Sequence, residues 1–61
     1  MTSQEIYDEM KTHWDVFDVN HKRFAEKGVK AAGVRARKAI HELKKLSSRY
    51  RTACLEETKG I

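Results

Sequence analysis

No proline interrupts these 61 residues, and Gly28 is the one glycine that falls between two long runs of helix-forming sequence. Before it, Tyr7, Met10, Trp14, Phe17, His21 and Phe24 recur at intervals of 3, 4, 3, 4 and 3, with Ile6 beside them. After it, Val29, Ala32, Ala36, Ala39, Leu43, Leu46, Tyr50 and Ala53 repeat the same alternation, and Ile40 widens the stripe. That period belongs to one face of an α-helix, and strand alternation fails over both windows. Without proline and with so few glycines, a chain of short strands and tight turns has nowhere to turn, which excludes an all-β fold.

The pattern predicts an all-α chain forming a single domain: helix one over about 3–27, a turn at 28–29, helix two over about 30–55 and a frayed tail at 56–61. Thr2-Ser3-Gln4-Glu5 reads as a capping box, and Gly28 suits the left-handed residue that ends a helix. Two helices of similar length joined by so short a turn imply an antiparallel hairpin. Its small end, Ala31, Ala32, Gly33 and Ala36, is expected opposite bulky Phe17 and Phe24.

A single seam between two helices buries little apolar surface for a chain this short, and the lone Cys54 makes no internal disulfide. The hairpin is therefore expected to dimerise into a four-helix assembly. The core and oligomer positions are Tyr7, Met10, Trp14, Phe17, Phe24, Ala36, Ile40, Leu43, Leu46 and Tyr50, with Trp14 and Leu43 read as buried anchors.

Charge is distributed unevenly. The chain is 36% Asp, Glu, Lys and Arg with a net charge of +4, yet residues 1–20 sum to −4 and residues 22–55 to +9. On a helical wheel Lys30, Arg35, Arg37, Lys38, Lys44, Lys45, Arg49 and Arg51 fall on the outward half of helix two, interrupted only by Glu42. Like charges crowded on one helix repel, so the arrangement points to an anionic partner. The four arginines can fork onto phosphate oxygens, whereas the lysines supply point charge. With Lys27 at the turn, these nine residues are the candidate phosphate-binding set.

Catalytic and metal chemistry find no such support. His13 and His21 lie eight apart, without the four-residue spacing of a helical metal pair. Cys54 has no histidine near it in sequence and reads as an inert thiol. No glycine-rich phosphate loop is present. The regular spacing of Trp14, Phe17 and Phe24 favours packing over base stacking. No enzyme activity, metal or cofactor is expected. Mean hydropathy is −0.78, and the apolar runs are too short to cross a bilayer, so no membrane partner is expected. The unpaired cysteine and the lack of a charged-then-apolar opening lead to the expectation of a reducing, cytoplasmic setting.

The run Glu26-Lys27-Gly28-Val29-Lys30-Ala31-Ala32-Gly33-Val34-Arg35-Ala36-Arg37-Lys38-Ala39, then Glu42-Leu43-Lys44-Lys45-Leu46 and Tyr50-Arg51, resembles the bacterial linker-histone-like family typified by the chlamydial histone-like nucleoid protein. The likeness extends more loosely through Trp14 and Phe17. It implies a nucleoid-associated protein that binds and compacts DNA. Taken with the phosphate-binding face, the expectation is a cytoplasmic protein that binds duplex DNA with little sequence preference, RNA being a second polyphosphate such a face accommodates. Valine at 29 replaces the polar residue common in the family, and these 61 residues do not include the Lys/Ala-rich tail of the chlamydial type. The rival expectation is a helical interaction and dimerisation module whose basic face docks an acidic protein or a membrane surface.

Overall fold

A computed structural model describes residues 2–61 as two α-helices and the turn between them: α1 (Ser3–Lys27) and α2 (Lys30–Lys59). They pack side by side as an antiparallel hairpin measuring 48 × 14 × 13 Å.

Local chemistry accounts for the helix ends. The Thr2 hydroxyl accepts from the Glu5 amide at 3.2 Å, and the Glu5 carboxylate accepts from the Thr2 amide at 3.0 Å, so two amides that the helix leaves unpaired are satisfied reciprocally. Those bonds, the one from the Thr2 backbone foremost, hold the Glu5 carboxyl below its ordinary range. At the other end Gly28 takes φ +65° and donates its amide to the Phe24 carbonyl at 3.0 Å. A side chain there would strain the backbone. Val29 precedes α2 in extended geometry and offers no side-chain cap, since its hydrocarbon has no acceptor.

α2 runs past residue 55 to Lys59, so the tail expected to fray at 56–61 is helical over its first four residues. The cause is a contact that closes the open end of the hairpin. The Glu57 carboxylate accepts from the Ser3 amide at 2.8 Å and from the Ser3 hydroxyl. It thereby satisfies one amide donor at the start of α1 and suits the positive end of that helix's dipole. Hydrogen bonds from the Ser3 side chain and then its backbone hold the Glu57 carboxyl below its ordinary range. A carboxyl with a depressed folded value contributes its stability above the unfolded value and loses it as pH falls through the folded one. Acidification below the ordinary glutamate range is therefore expected to fray residues 56–59, seen as faster amide hydrogen exchange there. Glu57→Gln should be frayed at neutral pH and show no acid step of its own. Identical titrations of the two proteins would dismiss the contact.

The seam is made of small side chains on one helix and mixed ones on the other. α2 contributes buried Ala32, Gly33, Ala36, Ala39 and Leu46, with half-buried Leu43 and Ala53; α1 contributes buried Ile6 and Asn20, with half-buried Met10, His13 and Phe17. Asn20 meets the cost of burial by donating to the Val16 carbonyl at 2.8 Å. Phe24 lies over Gly33, where an added Cβ would come within 2.8 Å of the ring. The expected pairing of large against small holds at that position, and it explains why glycine occupies the first turn of α2.

Several expected core positions lie elsewhere. Ala36 and Leu46 are buried, and Met10, Phe17 and Leu43 are half-buried, so Leu43 is a weaker anchor than its spacing suggested. Tyr7, Trp14, Phe24, Ile40 and Tyr50 are exposed, Trp14 by 51%. His21, placed on the packing stripe by its spacing, is also exposed and stacks on Phe17 at 5.8 Å. The physical reason is the alanine-rich face of α2. Small residues let the helix axes approach, and an indole or phenol ring does not fit between them. α1 turns so that Ile6, His13 and Asn20 enter the seam, and Tyr7, Trp14 and His21, one residue further on in each case, lie beside it.

Candidate nucleic-acid interface

All nine predicted binding residues are solvent-exposed: Lys27 at the turn, and Lys30, Arg35, Arg37, Lys38, Lys44, Lys45, Arg49 and Arg51 along α2. α2 carries nine bases and three acids, and α1 four bases and six acids. Within α2 only Lys45 among the eight has an ion pair, with Glu42 at 3.7 Å, among the described residues. That contact is exposed and worth little, so the face retains its positive charge.

The structure divides these cations among three sides of α2. Lys30, Arg37, Lys44 and Arg51 are seven residues apart, which puts them on one line at about 10.5 Å intervals. Arg37 in this line borders a groove with Phe17, His21, Phe24 and Ile40. On the other side of the hairpin, Arg35 and Lys38 border a depression with His13, Val16, Ala39 and Glu42. Arg49 lies beside Ser48, Thr52 and Ala53. Lys45 follows Lys38 at the same seven-residue interval. A wheel drawn for α2 alone treats all eight as one outward face. The exact heptad interval was the signal that separates them, and the position of α1 gives it meaning.

The exposed rings form the other prominent surface. Trp14 and Phe17 have ring centroids 5.3 Å apart, and Tyr7, Met10, Lys11, Trp14 and Leu43 border a second groove. Sequence spacing read these rings as core or oligomer positions, and in one copy Tyr7 and Trp14 lie exposed and Phe17 half-buried. Cys54 is a free, exposed thiol. Among the described residues there is no cluster of His, Cys, Asp and Glu able to hold a metal ion, and no helix is long and apolar enough to cross a membrane.

No curated protein and no solved structure matches the chain. A family model described as histone H1-like protein Hc1 matches residues 4–60. The match takes in the whole of the turn, the arginine- and lysine-bearing α2 and nearly all of α1, and by it the chain belongs to the histone H1-like protein Hc1 family.

Proposed function

We propose that this hairpin is a nucleoid-associated protein that binds double-stranded DNA through its phosphates, with little regard to sequence, and does so as a homodimer or higher oligomer. The observation that carries the reading is the exposure of eight bases on α2 against a single acid between residues 30 and 55. The histone H1-like family name supports the same partner. A helix charged in this way has a repulsion that an anionic polymer relieves, and the release of counterions from DNA adds to affinity.

Sequence indifference follows from the side chains available. α2 contains neither Asn nor Gln, the residues that pair with adenine, and its arginines are spread along its length rather than grouped to enter a groove. Contacts of this kind position the protein on the duplex and carry no base information. The chemistry is binding rather than catalysis, and the setting is the cytoplasmic nucleoid. The whole chain acts as one domain in this reading.

Gel-shift titration over a salt series, with duplexes of unrelated sequence and an RNA of matched length, tests it. All the duplexes should bind equally and weaken steeply with salt, with heparin as competitor. Retardation that ignores salt, or none at all, would return α2 to the role of a docking face for an acidic protein.

A further inference from the structure

We infer that a second copy of this chain covers the aromatic face in one orientation only, with α2 of each copy lying antiparallel against α1 of the other, and that this withdraws the line of Arg37, Lys44 and Arg51 from nucleic acid. The inference deepens the self-association proposed above and rests on it.

The face runs the length of the hairpin. Tyr7 and Trp14, seven residues apart, stand beside the seam on α1, Ile40 stands beside it on α2, and all three are roughly half exposed. Among the described residues Ile6 is the one large side chain that a single copy buries completely. A chain this short that leaves more rings outside than inside gains most of its missing apolar burial by covering them.

The charges bordering the face select the occupant. On α2 the border is the basic line already described, with Arg37 touching the groove. On α1 it is Lys11, which borders the adjoining groove, followed seven residues on by Asp18, and Asp8 and Asp15 lie one row further out. An anionic bilayer or a nucleic acid lying on this face would meet those three carboxylates as well as the bases. A second copy offers carboxylates to the bases and bases to the carboxylates.

The same charges select the orientation. Two-fold symmetry allows the faces to meet with α2 against α2 or with α2 against α1. The first sets Lys30, Arg37, Lys44 and Arg51 against their own copies, and like charges placed opposite each other are repelled. The second sets each α2 against an α1 of net charge −2. Its symmetry axis runs along the rod, which keeps each residue at the same height in both copies. Phe24 lies over Gly33, so Arg37, one turn on, is level with residue 20 of α1. Asp18 lies about 3 Å away along the axis. Arg37 therefore meets the partner's Asp18, which is free to trade its exposed 3.1 Å contact with Lys22. Arg35, Lys38, Lys45 and Arg49 stay outside, available to phosphate.

Cross-linking distinguishes the orientations. In a Cys54→Ser background, Arg37→Cys mixed with Asp18→Cys should be joined by a short bis-maleimide, and Lys44→Cys should not link to itself. The reverse result would overturn the orientation. In sedimentation, the unaltered chain should be dimeric, Arg37→Glu should weaken the dimer by about tenfold or more because symmetry counts each pair twice, and adding Asp18→Arg should restore it. Arg35→Glu should leave it unchanged. A helical monomer at micromolar concentration, or a monomer that binds anionic vesicles through the rings, would overturn the inference. If that monomer still retarded DNA, the nucleic-acid reading would stand without it.

Discussion

Leu46→Ala is expected to unfold the hairpin, while Trp14→Ala leaves the helices formed. Leu46 is 4% exposed and, with Ile6 at 2%, is one of two large apolar side chains among the described residues that are buried between the helices. Truncating such a leucine costs about 2–5 kcal/mol, through lost transfer energy and the cavity that remains. A chain of 61 residues holds roughly 3–9 kcal/mol in total at about 0.05–0.15 kcal/mol per residue, so the loss consumes much or all of it. Trp14 keeps half its surface in water within one copy, and its truncation should act on association before it acts on folding. Circular dichroism during a urea titration checks both, with Leu55→Ala, 65% exposed, as a neutral control. Greater destabilisation from Trp14→Ala than from Leu46→Ala would move the core of the hairpin to the rings.

DNA binding should fall steeply with salt and should depend on the bases of α2 that lie outside the line of Arg37, Lys44 and Arg51. If Arg35, Lys38, Lys45 and Arg49 each meet a phosphate, log K against log salt has a slope near −3.6 per protomer, from about −0.9 per contact. Between 50 and 200 mM salt that is roughly a hundredfold loss of affinity. Lys38→Glu should reduce the slope by about one contact and weaken all duplexes alike, because phosphates carry no sequence. Glu9→Lys, on α1, should leave binding unchanged or slightly stronger. Fluorescence anisotropy with two unrelated duplexes over a salt series measures all of this. A loss with Glu9→Lys and none with Lys38→Glu would put the site on the other helix.

The candidate site was legible as a set of residues and illegible as a geometry. Exposure of the bases on α2 followed from the phase of its apolar stripe, since a charged side chain opposite a buried seam has only water to meet. Their division into sides did not follow, because whether Arg37 borders a groove or Arg35 a depression depends on where α1 lies. The exposure of the rings in one copy did not follow either, for a related reason. α1 offers two stripes that share Met10, Phe17 and Phe24. One adds Tyr7, Trp14 and His21, and the other adds Ile6, His13 and Asn20. Hydrophobicity favours the first, and the narrow gap beside Ala32, Ala36 and Ala39 admits the second.

What the amino-acid order determined by itself is local: the capping box at Thr2 and Glu5, the left-handed turn at Gly28, and the two helices on either side of it. Each depends on residues within one or two turns of one another, and hydrogen bonds of that range form wherever the chain carries the right side chains. Tertiary structure decided how α1 is turned about its axis, which rings were left in water, and that α2 continues to Lys59. These rest on contacts between distant positions. The carboxylate of Glu57 and the amide of Ser3 are 54 residues apart, and Phe24 meets Gly33 across the turn. Such pairs exist only once two helix surfaces of particular shapes have been brought together, and shape at the seam is a property of both helices at once.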